Sequence, residues 1–171
     1  GTFIDLDGNK YTGSWLKGMK HGQGIFINYN TDKYIGNWSN DLRNGNGIQT
    51  YTNGDKYDGE WKNDQKNGIG FMVYASGTTY EGEWEDDKRN GIGTQDDMSG
   101  NVFYGNWVDD KKDGKGKVTY SNGDIYDGDW SKNNIQGTGT FVYANGDKYD
   151  GEWINSQRNG KGTFTYNAGE K

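Results

Sequence analysis

Large aromatic residues, glycines and polar residues alternate along this chain in short bursts. Tyr57-Asp58-Gly59-Glu60-Trp61 has the period-two alternation of a half-buried strand. Its Tyr, Gly and Trp project to one face and its two acids to the other. Six polar residues follow at 62–67, then Gly68-Ile69-Gly70, then Phe71-Met72-Val73-Tyr74 and a turn at Ala75-Ser76-Gly77. The pattern predicts two strands of about 5–6 residues, joined by a polar connection of about six residues and by a tight turn. A helix is excluded, because Gly at these intervals costs about 1 kcal/mol each in a helix interior.

The burst repeats. Trp15, Trp38, Trp61, Trp84, Trp107, Trp130 and Trp153 lie 23 residues apart, and they are all the tryptophans of the chain. Every Gly but Gly18 falls into four phases of that period: two before each Trp, both members of the Gly-x-Gly pair, and a turn. The turn phase holds Gly8, Gly54, Gly77, Gly100, Gly123, Gly146 and Gly169. Asn53-Gly54, Asn122-Gly123, Asn145-Gly146 and Asp7-Gly8 are strong hairpin-turn dipeptides.

Each unit is therefore a β-hairpin, and successive hairpins extend one all-β, single-layer antiparallel meander. Two strands per unit advance about 10 Å, so seven units give a twisted ribbon about 70 Å long. The rings form ladders along one face, and the Gly residues give each ring bare backbone to lie on and the strand points at which to bend. Asp58/Glu60, Glu81/Glu83, Asp127/Asp129 and Asp150/Glu152 form an acidic stripe on the other face. Lys20, Arg43, Lys66, Arg89, Lys112 and Arg158 share one phase in the polar connection. They are expected at loop tips, pairing with the acids from repeat to repeat. Two segments break the pattern and predict a local irregularity or bend. At 28–32 Thr31 replaces the turn Gly and Tyr29 is shifted by one, and 94–98 is polar where a strand should be apolar.

Composition sharpens this. Thirty Gly and only 29% hydrophobic residues lean towards disorder, but 15% aromatic residues do not. Without Cys there is no disulfide frame, thiolate metal site or cysteine nucleophile. A single His excludes multi-histidine metal sites. No apolar run approaches the ~20 residues that span a bilayer, and a net charge of -6 disfavours nucleic acid.

Six Tyr-x-Gly-x-Trp motifs, and a seventh with Phe103 in the Tyr place, each with Gly-x-Gly following, resemble the MORN (membrane occupation and recognition nexus) repeat; Tyr80-Glu81-Gly82-Glu83-Trp84 and Tyr149-Asp150-Gly151-Glu152-Trp153 are examples. The resemblance covers essentially the whole chain, residues 1–171 as one array of seven repeats. The family often has Gly three residues after the Trp, where only Gly18 matches. Asp41, Asp64, Asp87, Asp110, Asn133 and Ser156 stand there instead. His21 alone matches the family's His before Gly-x-Gly. The resemblance implies a single-layer sheet with an aromatic-lined groove that binds partner segments, in scaffolds of cytoskeletal and ciliary assemblies. Some members dimerise, and phosphoinositide binding is proposed for some.

A face this long and aromatic points to a protein partner. The expected groove is lined by Tyr11, Trp15, Tyr34, Trp38, Tyr57, Trp61, Tyr80, Trp84, Phe103, Trp107, Tyr126, Trp130, Tyr149 and Trp153. The expected function is a non-catalytic scaffold in the cytoplasm, at the cytoskeleton or cilium, holding peptide segments or a second copy. No cofactor, metal or catalytic residue is expected. The acids recur with the period and sit at exposed positions, unlike a singular catalytic pair. Gly-x-Gly leads into no helix that would hold a phosphate, and no acidic loop has calcium-loop spacing. Two alternatives remain: a module touching phosphoinositide membranes through the basic tips, and a carbohydrate-binding repeat. The first and last residues fall inside repeat phases, which predicts a piece of a longer protein with open edge strands.

Overall fold

The computed structural model describes residues 1–168. Fifteen strands follow the order of the sequence in one antiparallel sheet, and no helix occurs among the described residues. The chain divides into two compact units, Gly1–Lys88 and Arg89–Lys171. The Gly169 turn lies outside the described residues.

The first unit carries β1 (Thr2–Ile4), β2 (Lys10–Leu16), β3 (Met19–Ile27), β4 (Lys33–Ser39), β5 (Leu42–Thr50), β6 (Lys56–Lys62), β7 (Gln65–Val73) and β8 (Thr79–Glu85). The second carries β9 (Lys88–Asp96), which begins at the boundary, then β10 (Val102–Val108), β11 (Lys111–Thr119), β12 (Ile125–Ser131), β13 (Asn134–Val142), β14 (Lys148–Ile154) and β15 (Gln157–Thr165). From β2 on, strands of seven and nine residues alternate in both units. The shorter one holds Tyr-x-Gly-x-Trp and the longer one Gly-x-Gly.

The six-residue connection expected after each Trp is not a loop. Between β6 and β7 only Asn63 and Asp64 turn, with φ of 49° and 69°. Two successive positive φ values match the right-handed twist of the flanking strands, as a type I′ turn does. The polar residues after it already belong to the ladder: Lys62 pairs with Gln65 and Trp61 with Lys66. Their polarity resembles a loop because a single-layer sheet leaves half of every strand in water. The first Gly of each pair then bends the long strand. Gly68 has φ of 83°, and the register shifts between Gly59 and Trp61 opposite it, which is a β-bulge.

At the other ends the loops are type I turns closed by a left-handed residue. Gly54 N donates to Tyr51 O at 3.0 Å, and Gly54 has φ of 98° while Asn53 keeps an ordinary φ. The two irregular segments keep this geometry. Thr31 N donates to Asn28 O at 2.9 Å, with Thr31 itself forced to φ of 71°. In β9, Thr94, Gln95 and Asp96 pair regularly with Tyr104, Phe103 and Val102. Neither segment interrupts the strand pairing, because backbone hydrogen bonds do not depend on apolar side chains.

Candidate partner-binding face

The ladder is built from one rule. Tyr57 lies flat over Gly59 and Gly70, where a Cβ at Gly70 would stand inside its ring. Its ring meets Trp61 edge-on at 5.2 Å and the next repeat's Trp84 at 5.3 Å. The polar atoms of both rings are used. Tyr57 Oη donates to Glu60 O at 2.9 Å, and Trp84 Nε1 donates to Gly70 O at 3.3 Å. The second unit repeats this: Tyr126 meets Trp130 at 5.6 Å and Trp153 at 5.4 Å, and its Oη donates to Asp129 O at 3.0 Å. Phe103 takes the Tyr place without the hydroxyl, meeting Trp107 at 5.3 Å and Trp130 at 5.2 Å. Edge-on aromatic pairs add about 0.5–1.5 kcal/mol each beyond area burial.

Of the residues expected to line the groove, Tyr11, Tyr34, Trp38, Tyr57, Trp61, Tyr80, Trp84, Phe103, Trp107, Tyr126, Trp130, Tyr149 and Trp153 are buried. Burial pushes the phenols of Tyr34, Tyr57 and Tyr126 well above their ordinary pKa. Only Trp15 is open, at 38% exposed.

What covers the rings is the basic phase, and this corrects its expected position. The cations do not stand at loop tips or beside the acidic stripe. Lys20 lies over Trp38 at 4.4 Å, Arg43 over Trp61 at 4.0 Å and Lys66 over Trp84 at 4.7 Å. In the second unit Arg89 lies over Trp107 at 4.3 Å, and Lys112 over Phe103 at 4.6 Å. These are cation–π contacts. Repeat-to-repeat pairing does occur, but with acids of the turns: Arg43 Nε lies 3.0 Å from Asp64 Oδ1 and Arg89 Nε 3.0 Å from Asp110 Oδ1. Ile135 stands in the same phase and is buried.

Acceptor side chains stitch both rims. Asp41, Asp64 and Asp110 accept from the backbone N of Lys20, Arg43 and Arg89 at 2.8–3.0 Å. They stand where the family often has Gly, and each has a positive φ. On the other rim Asp32, Asp55, Asp124 and Asp147 accept from the N of Thr52, Ala75, Ala144 and Asn167.

Sequence reasoning did not single out two further rows on this face. Alternation carried past Gly70 puts Met72 and Tyr74 on the ring side, and that was the available signal. In the first unit Phe26, Gln49 and Tyr51 of these rows, with Lys20, Trp38, Arg43 and Asp64, line a recess of about 300 Å³. Phe3, Tyr11, Trp15, Lys20 and Phe26 line another of about 410 Å³. In the second unit the rows hold Tyr120, Phe141, Tyr143 and Phe164, with Phe141–Tyr143 at 4.6 Å and Tyr143–Phe164 at 5.9 Å.

The opposite face differs between the units. In the first, Ile25 faces Ile35 and Ile35 faces Ile48 across the strands. In the second, Lys115 Nζ contacts Asp129 Oδ1 at 2.5 Å. Among the described residues no cluster of three or more His, Asp or Glu is placed to hold a metal ion, and no helix is long and apolar enough to cross a membrane.

Hairpins repeating in one sheet around a Tyr/Trp ladder define a β-hairpin repeat protein. The MORN repeat family model matches seven consecutive times, at residues 11–33, 34–56, 57–79, 80–102, 103–125, 126–148 and 149–171, and the chain belongs to that family. A comparison with curated proteins finds no match. Among solved structures, the chain is similar to the SAS-4 (dCPAP) TCP domain of Drosophila melanogaster in complex with a proline-rich motif of Ana2 (dSTIL). That match has 16% identity and a TM-score of 0.51, over 98% of this chain and 89% of that one. It is similar as well to the G-box domain of the microcephaly protein CPAP, with 12% identity and a TM-score of 0.43 over 98% and 99%. The TCP10 domain of Danio rerio CPAP matches with 12% identity and a TM-score of 0.38 over 89% and 88%.

Proposed function

We propose that this chain is a non-catalytic scaffold whose aromatic face holds an extended partner segment, in a cytoskeletal or ciliary assembly of the cytoplasm. The recess in the first unit carries this reading. Its apolar lining is aromatic, at Phe26 and Trp38, and its polar lining comes from Asp64, Arg43 and the buried Gln49, which accepts from Arg43 Nη1. An apolar lining with a few placed polar groups is the usual make-up of a binding cleft. The similar TCP domain is seen with a proline-rich motif, which supports an extended occupant. The buried ladder serves as the platform, and the rows beside it meet the partner. Trp61→Ala would therefore test folding, at about 3–5 kcal/mol, and not binding.

The test is peptide display against the intact chain, with selected peptides measured by fluorescence anisotropy. Tyr51→Ser and Lys20→Glu are expected to weaken binding at least tenfold, and Phe71→Ser on the opposite face to leave it unchanged. Binding lost with Phe71→Ser and kept with Tyr51→Ser would reverse the assignment of the face.

A further inference from the structure

The aromatic rows of the second unit have a spacing that selects the backbone of their occupant. Tyr120, Tyr143 and Tyr166 are one repeat apart, and Phe141 and Phe164 stand beside them in the next row. The rings touch in a chain: Tyr120–Phe141 at 6.0 Å, Phe141–Tyr143 at 4.6 Å, Tyr143–Phe164 at 5.9 Å and Phe164–Tyr166 at 4.8 Å. They are tilted against one another at 30–55°, unlike the near-perpendicular rings of the ladder. Tyr166 is 77% exposed and the others are half-buried. This strip is open where the ladder is closed.

One repeat is two strands, so equivalent rings recur about every 9.6 Å across the sheet. A polyproline II segment advances about 9.3 Å per three-residue turn. An extended β segment repeats about every 6.7 Å and an α-helix turns every 5.4 Å or so, and neither stays in step with the rings. Polyproline II segments are also the ones that dock on aromatic-lined grooves. Charge narrows the occupant further. Asp124 and Asp147 stand one repeat apart on the loop rim beside Tyr120 and Tyr143, where Tyr143 N donates to Asp147 O at 2.8 Å. Both carboxylates accept hydrogen bonds, from Ala144 N and Asn167 N, each 2.8 Å away. The whole chain carries a net charge of -6.

Resting on the reading above, we infer that the strip from Tyr120 to Tyr166 binds a basic, proline-rich segment in the polyproline II conformation, lying across the strands. Every third residue of the segment seats between successive tyrosines, and its Arg or Lys residues face Asp124 and Asp147.

The test uses the intact chain and labelled twelve-residue peptides in fluorescence anisotropy. The first has Pro at every third position with Arg between, the second has the same composition with the prolines grouped, and the third has Glu for Arg. The first is expected to bind at least tenfold more tightly than either other. Tyr166→Ser, at an exposed position, and Tyr143→Ser are expected to weaken it at least fivefold, with the Tyr166→Ser melting curve unchanged. Equal binding of the first two peptides, or no effect of either substitution, overturns the inference. So does a dimer in light scattering that Tyr166→Ser dissociates, which would make a second copy the occupant. If display finds only proline-free segments that depend on the aromatic face, this inference falls and the scaffold reading stands. If no segment depends on that face, both fall.

Discussion

Single residues between repeats carry more of the fold than their exposure suggests. Asn9, Asp32, Asp55, Asn101, Asp124 and Asp147 share a phase, and each accepts from a backbone N 20 residues further on. Asn and Asp both serve at these six positions, so the bond needs an acceptor oxygen and not a charge. That polar residues replace the family's Gly at Asp41, Asp64 and Asp110 was legible; their acceptor role was not, because its partner lies a repeat away. Hydrogen bonds from the Thr52 hydroxyl and N–H hold the Asp32 carboxyl below its ordinary pKa, with Asn28 adding to them. A lowered folded-state pKa gives stability that is complete above the unfolded value near 4 and is lost as pH falls through the folded one. Asp32→Asn keeps the acceptor but loses the Asn28 bond, at about 1 kcal/mol at pH 7. Urea unfolding across pH is expected to show this variant losing less stability than the parent between about pH 5 and pH 2. An equally steep acid loss would mean Asp32 is not a linked group.

Strands here are held by what Gly permits. The pattern Tyr-x-Gly-x-Trp was legible as a strand because alternation is a property of the backbone. The second Gly of each pair was legible as a surface for a ring, and Tyr57 lies on Gly70 as that reading requires. The pair was legible as a place where the strand bends, and the bulge at its first Gly bears this out; the polar stretch before it was not legible as strand. Nothing in Lys62 to Asn67 alone separates a loop from an edge-exposed ladder. Gly70→Ala is expected to cost about 3 kcal/mol, from overpacking against a ring that cannot move off its neighbours. Gly8→Ala meets open space at φ of 89° and is expected to cost about 1 kcal/mol, the left-handed penalty alone. Thermal or urea melts of the pair decide this, and similar losses would contradict the ring-on-glycine account.

At the scale of the whole molecule, the repeat made the family and the strand order legible, since each hairpin needs only its sequence neighbours. The cover of the ladder was hidden. A Lys or Arg in a polar run reads as a solvated tip, and only Ile135, apolar in that phase and buried, hints that the phase faces the rings. Covering the ladder moves the expected contact surface one row over, to residues such as Tyr51, Tyr143 and Tyr166. Oxidative footprinting of the intact chain, with and without the saturating Pro/Arg peptide, tests which face a partner takes. Tyr51, Tyr143 and Tyr166 report the aromatic face, and Phe71 and Tyr104, 41% and 58% exposed, report the other. The account predicts that Tyr143 and Tyr166 lose reactivity while Phe71 and Tyr104 keep theirs. Protection of Phe71 and Tyr104, with Tyr143 and Tyr166 unchanged, would contradict it.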